Sequence, residues 1–487
     1  MNKQSKFSVI VLGVFFLLAL CHKGTAQTGI NRISKEQKLY ELSVIWKELS
    51  YNFANKDNCP NVNMDSLYRT YMTIVQNTKN DWEYCKALQC FLCHFNNGHV
   101  ACFDIPAYFD DYLGRLLLKT AYKDNKVIVE NIGTHNAKKV TIGDEIITVN
   151  DMPVMDYLQK EMIPYIAASN ENIKIHKAMF GQFGITNRDL KDKKIKIGIK
   201  TPNGIKNVTL AYDYHLNPLP KDTAIQNKRS YLDTEASTHF ISMRNNLFLE
   251  DTVHDFAFIR LTRCDDSFYS FFVENYEKIM QYKHLIVDIH YNEGGSSNAS
   301  GIAIECLVNN DSIYTYSEKT RVNNALHKAW ATTKIMFYED SEVPDFHKIN
   351  YYPYYYGTAF EDVFYNEGIA RSCIIPDSLR YKGKVYVLIS EDNGSAGEYF
   401  AAMLSQNKDI IFLGKKTIGA FGQPLVIDLP SGMQVMLNTT KTYDFHGRDI
   451  SSGFPPNYEY DFSEIYKITD PQEMLNKLIE VIKGVEE

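Results

Sequence analysis

The stretch from His284 to Gly295 reads HLIVDIHYNEGG, and it indicates a mixed α/β fold. Leu285 to Ile289 form a short apolar run, which is typical of a strand buried on both faces. The glycine pair that follows can adopt a positive φ and let the backbone approach a ligand closely. The pair could also be a plain turn, and a phosphate loop is disfavoured because no Gly-Lys-Ser/Thr follows.

Apolar runs of the same kind recur through the C-terminal half of the chain. Helical stretches separate them, so this half, from about residue 250, predicts an α/β layer fold. A polar and aromatic insertion at about 309–375 interrupts the pattern and contains the run YYPYYY at 351–356. The predicted strands are Phe256 to Leu261, Leu285 to Ile289, Val385 to Ile389 and Ile410 to Leu413, and the predicted helices are Tyr269 to Gln281 and Gly397 to Leu404.

The N-terminal part has a different texture, which predicts a small helical domain. Apolar residues recur at helical spacing through 35–95, and a turn-forming cluster breaks the pattern at 58–61. Asp81 is the predicted N-cap of the last helix in this part.

The middle part, about 105–225, is predicted to be rich in strands because apolar and polar residues alternate. Turn residues separate the runs, and a short helix is expected around 137–140. The predicted strands are 126–130, 145–149, 194–199 and 208–212.

The first 26 residues are predicted to be a secretory signal peptide. Lys3 and Lys6 precede an apolar run at 9–20, and small residues lead to a cleavage site after Ala26. The run is short for a bilayer span. A retained anchor and a lipid-modified Cys21 are the alternatives. We therefore expect export to the periplasm, the cell surface or the medium.

Charge and composition limit the possible partners. The chain has 52 basic and 59 acidic residues, for a net charge of -7, and removing three signal-peptide lysines leaves 49 basic residues and a charge of -10. This balance argues against nucleic acid as a partner. The ordinary hydrophobic share, 45%, excludes a disordered chain. No later run is long enough to suggest a stable membrane span after signal removal.

Cysteines cluster near the end of the helical part, where a zinc site must be weighed. A single C-x-x-C without a second pair is weak evidence for zinc, and periodic apolar neighbours favour a buried helix face. We therefore expect no metal and no cofactor. The cluster consists of Cys85, Cys90, Cys93 and Cys102, beside His94 and His99.

Two residues are candidates for acyl-transfer chemistry. Ser395 follows a predicted strand and precedes a predicted helix, so free N–H groups and the helix dipole could stabilise an oxyanion there. A plain N-cap serine is the alternative. His99 could act as a general base near neutral pH, although most histidines have surface or structural roles.

In combination, these segments resemble the tail-specific and tricorn-type serine peptidases, the family of C-terminal processing proteases. The resemblance covers nearly the whole mature chain, and its motifs occur in the family's order. They are Trp46 to Phe53, Asn97-Gly98-His99, Gly143 to Asn150, His284 to Gly295, Gly383 to Ser390 with Ser395-Ala396-Gly397-Glu398, Gly414 to Gly419, and Gly447 to Pro456.

The resemblance implies an α/β multidomain fold with an N-terminal helical domain, a PDZ-like domain and a crotonase-like (ββα) catalytic core. The expected division of the chain is a signal peptide at 1–26, a helical domain carrying His99 at 27–104, a PDZ-like domain at 105–225, and the core with its insertion at 226–487.

The resemblance also implies the site residues. Ser395 is the expected nucleophile, His99 the base, and the backbone N–H groups of Gly294 and Ala396 the oxyanion hole. Processing proteases with a Ser-Lys dyad place the lysine where this chain has Ala420, so the tricorn-like Ser/His version fits better.

The family's glutamate that orients the histidine has no counterpart near the last motif. Ser451 and Asp449 stand there and are the possible orienting groups. A histidine without a third group is a weaker base.

The predicted function is that of an exported serine endopeptidase that cleaves peptides or proteins through an acyl-enzyme at Ser395. A catalytically weak or inactive binding protein on the same scaffold is the first alternative. An α/β-hydrolase esterase is the second, because residues 393–397 are close to a Gly-x-Ser-x-Gly elbow and His446 follows downstream.

Overall fold

The computed structural model describes most of the chain after the predicted signal segment. The signal peptide prediction therefore lies outside the described residues, and so does the end of the predicted PDZ-like domain. Among the described residues, no helix combines the length and the apolar character needed to cross a membrane. The described residues are 30–123, 125–133, 135–180, 187–212, 245–364 and 371–486.

Three helices and one strand form the N-terminal unit. The elements are α1 (Lys35–Asn52), α2 (Met64–Gln76), α3 (Asp81–Cys93) and β1 (Ala101–Asp104). Their apolar faces meet in one buried cluster, which explains the helical spacing of apolar residues.

The N-cap of α3 is Asn80, so the prediction of Asp81 was wrong by one residue. The side chain of Asn80 accepts the Glu83 N–H at 2.8 Å. The buried Asp81 carboxylate instead accepts the Arg32 N–H at 2.6 Å.

A small antiparallel sheet with two helices forms the middle unit. Its elements are β2 (Leu113–Arg115), β3 (Leu118–Lys123), β4 (Lys126–Ile132), β5 (Glu145–Val149), β6 (Met152–Pro153), α4 (Val154–Tyr157), α5 (Glu171–Phe180), β7 (Arg188–Leu190), β8 (Lys194–Thr201) and β9 (Gly204–Ala211). The strand order is β3-β4-β5-β8-β9, with β6 beside β5. The predicted strands are confirmed with slightly different ends, whereas the helix expected around 137–140 is a series of turns.

The C-terminal unit opens with elements that alternate as predicted. They are β10 (Leu247–Asp251), β11 (Phe256–Arg260), α6 (Asp266–Ile279), β12 (His284–Asp288) and α7 (Gly301–Val308). Strand β11 is buried on both sides, because Phe258 packs in one apolar cluster and its neighbour Ile259 in another.

The insertion adds short strands and an outer group of helices. Strand β14 lies between β15 and the later strand at 440–443, so the base of the insertion shares a sheet with the C-terminal unit. The elements are β13 (Ser312–Ile313), β14 (Ser317–Arg321), α8 (Ala325–Phe337), α9 (Asp345–Asn350), α10 (Tyr352–Tyr356), β15 (Phe360–Phe364) and β16 (Arg371–Ser372).

The remaining elements complete the main sheet and a separate hairpin. They are β17 (Lys384–Ile389), α11 (Ala396–Leu404), β18 (Ile411–Gly414), β19 (Pro424–Asp428), β20 (Gln434–Asn438), β21 (Thr440–Tyr443), β22 (Tyr458–Glu459) and α12 (Pro471–Glu486). The main sheet has the order β10-β11-β12-β17-β18-β22, and it is parallel from β11 onward.

The N-terminal unit is attached to the C-terminal unit through the β19–β20 hairpin. Ala101 in β1 pairs with Met436 in β20, and apolar residues of the hairpin join the buried cluster of the helices. This pairing brings the end of the helical unit, with His99, to the C-terminal unit.

Candidate active site

Ser395 lies at a strained turn between β17 and α11. Its backbone has φ 48° and ψ −122°, a region that non-glycine residues rarely adopt and that often occurs at functional sites. Because α11 begins at Ala396, the N–H of Ala396 belongs to the first helical turn and has no partner within the helix. The serine therefore stands where backbone donors and the helix dipole favour negative charge.

The glycine loop after β12 packs directly against this turn. A Cβ added to Gly294, whose φ is 105°, would lie 2.7 Å from Ser395 Cβ and 3.0 Å from the Ala396 nitrogen. Strands β12 and β17 are parallel neighbours, so both loops leave the same edge of the sheet. That edge, at the carboxyl ends of the strands, is the usual ligand side of an open α/β sheet.

Asn292 holds the glycine loop and uses the Gly294 N–H. Its Oδ1 accepts that N–H at 2.9 Å, and its Nδ2 donates to Leu261 O at 3.0 Å. The Gly295 N–H has no such bond. Gly294 O accepts the Cys264 N–H, and the Ser296 N–H donates to Cys264 O, so the Gly295 N–H between them points away from Cys264. Among the described residues, no acceptor pairs with the N–H of Gly295 or of Ala396.

A fully buried glutamate, Glu398, ties the nucleophile turn to the loop after β18. Its carboxylate accepts the Ser395 N–H at 3.1 Å and the Ala420 N–H at 2.8 Å. It also accepts the Gly419 N–H at 2.8 Å and the Thr417 hydroxyl at 2.5 Å. Burial raises the pKa of Glu398 to about 7, although these four donors oppose the shift.

His99 reaches the same loop from the N-terminal unit. A Cβ added to Gly98 would lie 3.0 Å from the Ala420 Cβ, so the turn that carries His99 packs on the residue that donates to Glu398. The turn is closed by Asn97, whose side chain accepts the His99 N–H at 2.8 Å. The turn that carries His99 thus packs on the 417–422 loop, and Ser395 is linked to the same loop through Glu398.

The His99 ring is buried and not fully paired. Burial lowers the pKa of His99 to about 4, and the backbones of Gly422 and Phe421 partly offset this effect. Its Nδ1 is buried without a hydrogen-bond partner among the described residues. The imidazole is therefore neutral at physiological pH.

The two residues expected to orient His99 form bonds elsewhere. Asp449 forms an ion pair with Lys441 at 3.5 Å and accepts the Ser451 N–H at 2.9 Å. The Ser451 hydroxyl accepts the Thr442 N–H at 3.0 Å. No hydrogen bond in the described part of the chain joins either residue to His99, so the structure does not support them as its orienting groups.

Other sequence candidates lie apart from this site. His446 is exposed and stacks edge-on against Phe445, with no bond to Ser395 in the described residues. Cys85 and Cys93 are buried on α3, as the helix-face interpretation expects. No cluster suited to a metal ion occurs within the described ranges.

Two residues of the site were not identified from the sequence. Glu398 stands inside the quoted nucleophile motif, but a buried glutamate three residues into a helix first looks like a capping residue. Asn292 stands inside the glycine motif. For both residues, the sequence showed only a polar residue within a motif. Their hydrogen-bond partners are brought close only by the fold.

Comparisons with known proteins concern a family model and the fold. Residues 255–460 match the model of peptidase family S41. The structure of mature CPAF complexed with lactacystin is similar, with a TM-score of 0.62 and 15% identity over 92% of this chain and 98% of that chain. A second structure of mature CPAF has a TM-score of 0.59 and 15% identity over 91% and 96% of the two chains.

The photosystem II D1 C-terminal processing protease matches more loosely, with a TM-score of 0.43 and 13% identity over 90% of this chain and 96% of that chain. No curated protein matches the sequence significantly. The CPAF structures support a mixed α/β multidomain fold with N-terminal helices. The match at 255–460 includes the glycine loop, the nucleophile turn and the 417–422 loop.

Proposed function

We propose that this chain is a serine peptidase of family S41, which cleaves peptides or proteins through an acyl-enzyme on Ser395. The observation that carries the proposal is the strained Ser395 turn, which packs against the glycine loop and has the Ala396 N–H of the first helical turn beside it. The hydroxyl oxygen would attack the peptide carbonyl, the amine would leave, and water would then release the acyl group.

His99 is the proposed general base. The neutral imidazole can take the Ser395 proton through Nε2 and return it to the leaving amine. Because its pKa is lowered, His99 is unprotonated at physiological pH and can accept a proton, but it is a weak base. A modest turnover is therefore expected. Glu398 accepts the N–H groups of both Ser395 and Ala420, and the His99 turn packs on Ala420, so this link supports the pairing of His99 with Ser395.

For the oxyanion hole we propose the N–H groups of Ala396 and Gly295. The sequence motif suggested Ala396 with Gly294, but the Gly294 N–H is used by Asn292. Gly294 has a different role in this proposal: its missing side chain lets the loop approach Ser395. Two donors at this place would stabilise the negative charge that develops on the carbonyl oxygen.

We also propose that the middle unit is PDZ-like and that the main sheet with its helices is a crotonase-like core. The antiparallel sheet of β3 to β9 with α5 supports the first assignment, and the parallel sheet from β11 onward supports the second. The proposed unit boundaries are 104 and 225, and the second lies outside the described residues.

The decisive experiment compares the parent protein with Ser395→Ala. Hydrolysis of a peptide library and labelling by a fluorophosphonate probe should both disappear in the variant. Ser405→Ala, in a serine just past the end of α11, serves as the control and should keep both activities. Unchanged hydrolysis in Ser395→Ala would refute the assignment of the nucleophile.

A binding protein is the second candidate, and the unpaired Nδ1 of His99 favours it. A scaffold that has lost its orienting group would bind peptides without turning them over. Such a protein would not react with the fluorophosphonate, yet it would retain peptides in a binding assay with both serine variants.

We further propose that the protein is exported, on the basis of the layout of residues 1–26. N-terminal sequencing of the protein from its native host should begin at Gln27. A start at a lipid-modified Cys21 would instead identify a lipoprotein, and an intact Met1 would contradict processing.

A further inference from the structure

A buried carboxylate at the base of the insertion has no role in the mechanism described so far. Glu318 lies in β14 and is only 4% exposed. It stands opposite Thr442 in the neighbouring strand β21. Its Oε1 accepts three hydroxyls: Tyr399 at 2.9 Å, Thr440 at 3.0 Å and Thr442 at 3.3 Å.

Two of these hydroxyls hold consecutive backbone N–H groups. The Tyr399 hydroxyl accepts the Gly422 N–H at 2.7 Å, and the Thr440 hydroxyl accepts the Gln423 N–H at 3.2 Å. Each hydroxyl thus accepts from the loop and donates to Glu318. Hydrogen bonds to an ionised carboxylate are stronger than neutral ones, so one charge strengthens both chains.

The backbone held in this way is the one that faces His99. Gly422 and its neighbour Phe421 lie beside the imidazole, and the His99 turn packs on Ala420. The other face of the loop is fixed by Asn438, whose Nδ2 donates to Phe421 O at 2.8 Å. The backbone beside the His99 ring is therefore held by Glu318, through the two hydroxyls, and by Asn438.

We propose that Glu318 is a positioning residue for His99, which acts through Tyr399 and Thr440 on the backbone of residues 422–423. This inference rests on the proposed function, because it assumes that His99 is the base. The inference also gives the insertion a part in the active site. Its residue Glu318 would orient His99, a task for which the segment between Gly447 and Gly453 contains no glutamate.

A purely structural role is the alternative, since a buried carboxylate with three donors also stabilises the sheet. The two roles differ in what a substitution changes. A structural residue affects the melting temperature and leaves the chemistry of the folded enzyme intact. A positioning residue lowers kcat with little change in KM, because the base is displaced while the substrate contacts remain.

The test is Glu318→Gln, with Glu305→Gln as a matched control. Glu305 is also buried, at 1% exposure, but it lies on α7, and its carboxylate accepts the backbone N–H groups of Ile374 and Ile375 at 2.8 and 3.1 Å. We expect Glu318→Gln to lower kcat and the rate of fluorophosphonate labelling by between about 10-fold and 100-fold, with KM nearly unchanged. Glu305→Gln should change these values by less than about twofold.

Tyr399→Phe provides a second and independent measurement. It removes the hydroxyl between Glu318 and Gly422 and keeps the ring, so it remains informative if Glu318→Gln folds poorly. Because the Tyr399 hydroxyl lies on one of the two chains of bonds that Glu318 supports, the double variant should lose little more than Glu318→Gln alone.

Equal kinetics of the Glu318 and Glu305 variants, or fully additive losses in the double variant, would overturn the inference. The proposed function fails separately: it is refuted if Ser395→Ala keeps its activity, whatever Glu318→Gln does.

Discussion

The two sides of the active site differ in how completely their polar groups are paired. On the nucleophile side, the carboxylate of Glu398 accepts four donors and Asn292 bonds on both sides of its amide. On the histidine side, Nδ1 of His99 and Nδ2 of Asn97 are both buried without a partner among the described residues. Buried unpaired groups are rare in folded proteins and costly.

Under the proposed mechanism, this difference would leave the site better prepared for the charged intermediate than for proton transfer. The proposed oxyanion donors belong to the C-terminal unit. The proposed base belongs to the N-terminal unit, which reaches the site through the pairing of β1 with β20. A site of this kind can regulate its rate through the position of the base, without any change at the nucleophile.

The largest expected effect comes from removing the base. His99→Ala should lower kcat/KM by between about 10²-fold and 10⁴-fold, because Ser395 then loses its proton acceptor. His446→Ala, in an exposed histidine, is the matched control and should be neutral. Steady-state hydrolysis of a fluorogenic peptide measures both. A large loss of kcat/KM in His446→Ala, with none in His99→Ala, would contradict the role of His99 and favour the esterase hypothesis.

A smaller effect is expected from a substitution on the nucleophile side. Gly294→Ala introduces a Cβ 2.7 Å from that of Ser395, at a φ of 105° that alanine adopts only with strain. The displaced loop should lower kcat by between about 10²-fold and 10³-fold, as the loss of an oxyanion donor does. Gly301→Ala is the control, since a Cβ there meets nothing within 4 Å. If the two glycine variants retained equal kcat, activity would not depend on the close approach of Gly294 to Ser395.

The nucleophile side could be predicted from the sequence because its parts are local. Ser395, Ala396 and the glycine pair each follow a strand directly, so short motifs locate them. His99 required the resemblance to a family, because its distance from Ser395 along the chain conceals their proximity. Glu318 could not be found at all: its partners become neighbours only when β14 pairs with β21, and nothing in the local sequence of the insertion indicates that pairing.

The strands and helices were predicted well where apolar runs are long, as in β12, β17 and α11. The errors concern up to four residues at element ends and one short segment. Asn80 rather than Asp81 caps α3 because Asp81 is recruited by the backbone of Arg32, a contact 49 residues away. The expected helix at 137–140 is too short for periodicity to distinguish it from turns.

The smallest expected effect is a change in how stability depends on pH. The pKa of Glu398 is raised to about 7 from the ordinary 4.5. The folded state therefore favours the protonated carboxyl, and this contribution to stability is complete below about pH 4.5 and lost as the pH rises through about 7. In Glu398→Gln the side chain is uncharged, so the loss on going from about pH 5 to about pH 8 should be smaller than in the parent protein.

Thermal unfolding at these two pH values measures the difference, with Glu305→Gln as the control for a buried glutamate on another helix. The variant should also be less stable at both values, because its amide nitrogen cannot accept the N–H groups of Ser395 and Ala420. An unchanged pH dependence would mean that the four donors outweigh burial and keep Glu398 ionised throughout. The nucleophile side would then be stabilised by a permanent charge, and its contrast with the neutral histidine side would be sharper.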